Sequence, residues 1–128
     1  RLGYAIYREA IHLIEQGVAG AEKIDRALRH VIGTWSTFCG RLRWIDITGG
    51  PLLHAKAMTP VLPTLSNATE VPALLRDLAS SAADGIKSGK GFYIYTQAEA
   101  QLWEERLREQ AWRTLKLDLP EHPREDAP

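Results

Sequence analysis

Residues 2–16 constrain this chain more than any other stretch. Leu2, Tyr4, Ala5, Ile6, Tyr7, Ala10, Ile11, Leu13 and Ile14 read as one helix. They cover far more than the ~100° stripe with which a surface helix meets a single core. Arg8, His12, Glu15 and Gln16 leave only a narrow polar face, and Gly17 is the natural stop. Such a helix needs cover on two sides. A chain of 128 residues suits one domain, whose folding would bury about two thirds of the unfolded surface. The second cover is therefore expected from this small interior or from a partner chain.

The remainder also reads as helix. Over residues 21–32, Ile24, Ala27, Leu28, Val31 and Ile32 keep 3, 4 spacing, and Gly33 is expected to end the run. The short link Gly17-Val18-Ala19-Gly20 predicts an αα-hairpin. Residues 33–50, broken by glycines but holding Trp35, Phe38, Trp44 and Ile45, read as an ordered loop with a short helix. A helix is expected over 51–58 with Pro51 in its first turn, and Pro60 and Pro63 should keep it from running further. Residues 71–83 form another helix, with Leu74, Leu75, Leu78, Ala79 and Ala82 on one face. Thr96 and Glu99 form a capping box for a last helix. Its expected buried stripe is Trp103, Leu107, Ala111 and Leu115, with Glu104–Arg108 and Glu109–Arg113 as i, i+4 pairs. The fold class is all-α with about five helices, in one domain over 1–118. Residues 119–128 hold three prolines and several charges and read as a flexible tail. The chain begins inside a helix pattern at Arg1, without Met, which leads us to expect residues upstream.

Between residues 84 and 96, Lys87-Ser88-Gly89-Lys90-Gly91-Phe92-Tyr93-Ile94-Tyr95 reads as a tight turn before an extended aromatic stretch. Gly89 and Gly91 are the structural turn residues, and one of them is expected at positive φ. Lys87 and Lys90 could there meet an anion, although solvated lysines on a structural turn are the plainer reading. Arg43 beside Trp44 suggests a stacked cation. Glu9 and His12 lie three apart on one helix, as an acid–base couple would, or as an ordinary polar surface pair.

Charge and motifs exclude more than they assert. Sixteen basic and sixteen acidic residues cancel, and there is no basic stripe, so nucleic acid is not an expected partner. No apolar run approaches the ~20 residues of a membrane span, and there is no secretory signal pattern. The single cysteine, Cys39, forbids an intrachain disulfide. It suggests a reducing compartment, hence cytoplasmic location, and reads as a buried structural thiol. His12, His30, His54 and His122 show no metal spacing. Gly89-Lys90-Gly91 is too short for a dinucleotide fingerprint and follows a helix. Gly85, Gly89 and Lys90 fail the phosphate-loop spacing. No catalytic residue and no metal ligand is assigned.

The order of the pieces says more than any one of them. Residues 1–19, from Arg1-Leu2-Gly3 through Glu9-Ala10 to Gly17-Val18-Ala19, are followed by Ile24-Asp25. Arg43-Trp44, Gly50-Pro51-Leu52, Leu62-Pro63 through Asn67, and the Lys87 to Tyr93 run come next. This series resembles the C-terminal domain of NAD-dependent 3-hydroxyacyl-CoA dehydrogenases, from residue 1 to about 96. The long last helix resembles the longer bacterial and crystallin-like members. Residues 34–42 and 45–49 are longer than the family's links, and Leu53 stands where an acidic residue is common.

The resemblance implies a helical dimerisation domain of the 6-phosphogluconate-dehydrogenase-like type. A Rossmann domain, absent from this chain, would bind NAD and supply the catalytic groups, so the chain alone should be inactive. The implied substrate is 3-hydroxyacyl-CoA, in fatty acid metabolism, or a related 3-hydroxy acid. Arg43, Trp44 and Lys90 are the implied substrate-proximal residues, and a homodimer the implied assembly; the alternative is that the second apolar face of residues 2–16 seats the nucleotide-binding domain. The competing expectation is a stand-alone, non-enzymatic helical assembly or acyl-binding module.

Overall fold

The computed structural model describes residues 1–116. Described elements are α1 (Leu2–Glu15), α2 (Ala21–Ala27), a π-helical segment (Leu28–Gly33), α3 (Thr34–Ser36), α4 (Arg41–Ile47), α5 (Gly50–Val61), a 3₁₀ turn (Leu62–Thr64), α6 (Ala73–Ser80) and α7 (Gln97–Leu115). Among the described residues there is no strand, only the isolated bridges Gly85–Lys90 and Lys90–Ile94. The all-α reading holds. The tail expected over 119–128 lies outside the described residues.

α1 ends as its sequence requires. Gly17 takes φ 69°, its N–H donates to Ile14 O, and Val18 N–H donates to Leu13 O. That double closure satisfies the last carbonyls and needs a left-handed residue. α6 ends with the same pair of bonds, Ala82 N–H to Ala79 O and Ala83 N–H to Leu78 O. Here an alanine holds the left-handed position, at φ 55°, which a Cβ disfavours.

Gly33 does not end the second helix. The chain stays helical from α2 through α3, with Gly33 itself at φ −62°, ψ −39°. The π segment sends Thr34 N–H back to Arg29 O, which takes it away from His30 O. The Thr34 hydroxyl then donates to His30 O at 3.0 Å, so the widened turn leaves no carbonyl stranded. Glycine adopts helical angles without strain, at an entropic cost of about 0.5–1 kcal/mol relative to alanine, and the helical bonds around it carry the chain through. The continued helix brings Trp35 within 4.9 Å of Trp44, ring centre to ring centre. The expected loop over 33–50 is thus largely helical. α5 likewise runs on through Pro60, because a proline in the last turn forfeits only one helix bond.

Burial departs furthest from expectation. A compact monomer of 14.3 kDa would expose about 6,800 Å², and its unfolded chain about 20,700 Å². This chain exposes 10,977 Å², so folding hides nearer half of the surface than two thirds. Among the described apolar residues only Ile11 and Cys39 are buried. Cys39 is the expected buried thiol. The expected two-sided cover of α1 is not met within one chain: Leu2, Tyr4 and Tyr7 stay exposed. The expected buried stripe of α7 is corrected outright. Every residue from 101 to 113 is exposed, including Trp103 at 51% and Leu107 at 72%.

Candidate functional site

α1 is followed after a short link by the helical run that starts with α2. Between them lies an apolar groove of about 330 Å³. α1 contributes Ala5, Ile6, Ala10 and Leu13, and the helical run after it contributes Ile24, Ala27, Leu28 and Ile32. Glu9 is the one charged residue on its wall. Its Oε2 accepts Ser66 N–H at 2.9 Å. No hydrogen bond among the described residues joins Glu9 to His12, the couple considered from spacing.

Further along α1, Glu15 Oε1 accepts Leu74 N–H at 2.9 Å, at the start of α6. The carboxylate meets an unpaired N–H at the positive end of the helix, a favourable place for it. Arg8 donates to Ala68 O at 3.3 Å. Arg8, Glu9 and Glu15 thus clamp residues 66–74 to α1.

The glycine turn is a closed hairpin. Gly85 N–H donates to Lys90 O at 2.8 Å, Lys90 N–H returns to Gly85 O at 3.0 Å, and Gly91 N–H reaches Tyr93 O at 2.8 Å. Ser88 Oγ accepts Asp84 N–H at 2.7 Å. Gly89 has φ 73°, and a Cβ there would stand 3.0 Å from Tyr95 O. Gly91 lacks positive φ; a Cβ there would stand 3.2 Å from Gly85 Cα. One glycine supplies the turn and the other close backbone approach. With these amides spent inside the hairpin, they cannot cradle an anion. Lys87 and Lys90 are exposed, as in the plainer reading.

Tyr93 carries this hairpin onto α2. Its hydroxyl donates to Asp25 Oδ2 at 2.7 Å. Burial and then that carboxylate push the phenol from 10.0 up to about 12, because both disfavour its anion. The capping box at Thr96 forms as expected, with Glu99 N–H donating to Thr96 Oγ1 and Thr96 N–H to Glu99 Oε2. These bonds, led by the backbone one, lower the Glu99 carboxyl. Glu109 and Arg113 meet at 2.6 Å. Glu104–Arg108 is not an ion pair among the described residues; Glu22–Arg26, at 3.0 Å, is one that spacing also allowed.

Arg41, not Arg43, lies over Trp44, at 5.8 Å from the ring centre. One helical turn separates Arg41 from Trp44 and places them on one face, whereas the adjacent Arg43 points elsewhere. Thr48 Oγ1 donates to Trp44 O at 2.6 Å. Its hydroxyl proton being spent, His54 Nε2–H donates to it at 3.0 Å, which ties the end of α4 to α5. No hydrogen bond, ion pair or ring contact among the described residues joins Arg43 or Trp44 to Lys90. Nor do the described residues include a group of three potential metal ligands, or a helix long and apolar enough to cross a membrane. They also form no parallel sheet with a glycine-rich strand–helix turn, so they do not fit a dinucleotide.

The family model described as "3-hydroxyacyl-CoA dehydrogenase, C-terminal domain" matches residues 1–95. The chain belongs to this family. The domain is 33% identical over 110 residues to 5-formyl-3-hydroxy-2-methylpyridine 4-carboxylate 5-dehydrogenase of Mesorhizobium japonicum, covering 84% of this chain and 35% of that protein. It is 26% identical over 120 residues to L-carnitine dehydrogenase of Staphylococcus epidermidis, covering 88% of this chain and 37% of that one. A crystal structure of 5-formyl-3-hydroxy-2-methylpyridine 4-carboxylic acid 5-dehydrogenase, described as an NAD+-dependent dismutase, matches with TM-score 0.78 and 33% identity. That match covers 90% of this chain and 38% of the solved one. The dehydrogenase C-terminal domain thus spans little more than a third of the relatives it matches.

Sequence reasoning missed Asp25, Glu9 and Glu15 as anchors. The Ile24-Asp25 and Phe92-Tyr93 pieces of the family series were the only signal for the Asp25–Tyr93 bond. Nothing in the sequence marked Ser66 or Leu74 as the partners of α1.

Proposed function

We propose that this chain is the substrate-side and dimerisation domain of an NAD-dependent dehydrogenase that oxidises a small free hydroxy acid. The reading rests on one observation, the likeness in fold and sequence over 90% of the chain to a protein described as an NAD+-dependent dismutase. The free acid is favoured because the named relatives, one for a pyridine carboxylate and one for L-carnitine, align over 84% and 88% of the chain. The second reading is oxidation of 3-hydroxyacyl-CoA in fatty acid metabolism, favoured by the family match over residues 1–95.

In either case a nucleotide-binding domain holds NAD and supplies the reacting side chains. This chain contributes walls that exclude water and a surface that pairs two copies. Arg43, Trp44 and Lys90 are its substrate-proximal residues in this proposal, and the cytoplasm is its place.

Titrated with NADH, the chain alone should give no specific fluorescence change; binding near micromolar would overturn the division of labour. Joined to its nucleotide-binding domain, it should reduce NAD faster with free 3-hydroxy acids than with their CoA thioesters. Turnover confined to thioesters moves the assignment to fatty acid oxidation. No reduction with either class rejects the enzyme in favour of a stand-alone helical module.

A further inference from the structure

Two cations among the described residues lie over a ring: Arg41 over Trp44, at 5.8 Å from the ring centre, and Lys116 over Trp112, at 5.4 Å. The first stands in an aromatic cluster. Trp44 also meets Trp35, at 4.9 Å between ring centres and 41° between ring planes. Trp35 and Phe38 keep 45% and 52% of their surfaces open, while Trp44 is half-buried. The backbone that carries the two indoles is fixed. Phe38 N–H and Cys39 N–H both donate to Trp35 O at 3.0 Å, and Thr48 Oγ1 closes on Trp44 O at 2.6 Å.

Arg41 keeps its donors unspent. Among the described residues Arg26 and Arg113 face carboxylates, and Arg8 and Arg76 donate to backbone oxygens. Arg41 does neither; it is exposed and lies against the Trp44 ring. A ring holds a guanidinium by its face and leaves the N–H groups at its edge free. Those groups form a planar fork that takes one carboxylate in two parallel bonds, which an ammonium cannot do. Contact with Trp44 holds that fork beforehand and spares part of the side-chain entropy that binding would otherwise cost. The glycine turn is no rival for an anion, because its amides are spent inside the hairpin.

We propose that Arg41 determines which acid is accepted: its guanidinium pairs with the substrate carboxylate, while a planar ring of the same substrate stacks on the open indole of Trp35. The substrate class is then an aromatic carboxylate. Cation and open indole both neighbour Trp44, so one small ring with a carboxylate attached spans them. Either half alone binds less well, since an offset ring stack and a charge-assisted pair each add to the other. This rests on the free hydroxy acid reading proposed above and names the kind of acid.

The indole N–H signals in NMR spectra of the full chain report binding directly, with Trp35→Phe and Trp44→Phe to assign them. Benzoate should shift the Trp35 and Trp44 signals saturably and spare those of Trp103 and Trp112, which lie on α7. Benzamide has the ring without the charge and acetate the charge without the ring; each should bind about tenfold more weakly or worse. Arg41→Gln should weaken benzoate about tenfold or more, and Arg41→Lys by less. Circular dichroism should not change, because Arg41 is exposed. Arg106→Gln, which removes one exposed charge on α7, should leave benzoate binding as it was. Joined to the nucleotide-binding domain, Arg41→Gln should raise KM for a ring-bearing hydroxy acid by a similar factor with kcat nearly unchanged. Signals that ignore benzoate, that still respond in Arg41→Gln, or that respond as strongly to benzamide or inorganic phosphate overturn the inference. An enzyme that turns over free acids but keeps its KM in Arg41→Gln also overturns it and leaves the free-acid reading standing. Turnover confined to thioesters removes both.

Discussion

Two residues at left-handed positions make opposite predictions. Gly89 combines φ 73° with a backbone oxygen 3.0 Å from where a Cβ would stand. Gly89→Ala should therefore cost on the order of 1 kcal/mol or more. Gly91→Ala meets only the Gly85 backbone at 3.2 Å and should cost less. Ala82, at φ 55°, already carries the Cβ that this conformation disfavours. Ala82→Gly should thus gain about 0.5–1 kcal/mol, the left-handed penalty less the entropy that glycine loses on folding. Urea melts of the three variants check the order. Equal losses at both glycines, or destabilisation by Ala82→Gly, would show that backbone angle is not what these positions are chosen for. Sequence placed a left-handed glycine in the turn, because two glycines flank one lysine there. It could not choose between them, since the choice depends on where Tyr95 O and Gly85 Cα come to lie.

Between elements, a few long-range polar bonds replace much of what a packed core would do. Glu9 and Glu15 hold the 66–74 segment to α1, and Tyr93 holds the hairpin to α2. The Tyr93 bond carries a pH signature. The phenol rises from 10.0 to about 12 in the fold. A raised folded value contributes stability that is fully present below the unfolded value and is lost as pH rises through the folded one. Stability should accordingly fall between pH 10.0 and about 12. Tyr93→Phe should remove that part of the fall while being less stable than the parent at neutral pH. Melts of both chains across this window measure it, and parallel pH curves would mean that the phenol does not anchor the hairpin. Helix positions and caps were legible because they rest on local spacing: the 3, 4 apolar pattern, Gly17, Pro51, and the Thr96–Glu99 box. The π segment was not, since Gly33 looks like a stop until Thr34 is seen to take the carbonyl that the wider turn releases.

For the whole molecule, the surplus surface governs behaviour. If two copies cover it together, folding and association are one equilibrium, and the unfolding midpoint must rise with protein concentration. Thermal melts over a hundredfold dilution series should show that rise. A midpoint independent of concentration would mean the single chain is stable with its apolar faces exposed. The sequence by itself determined that this is a helical chain, where most of its helices begin and end, and which family's motifs it carries in order. These depend on spacing along the chain and on backbone limits on glycine and proline, which act within a few residues. Only the tertiary structure decided which carboxylate of α1 clamps which amide, and that the stripe of α7 lies open. Those depend on where segments some sixty residues apart meet. Spacing shows that a face is apolar; what covers it is settled by three-dimensional packing, within one chain or between two.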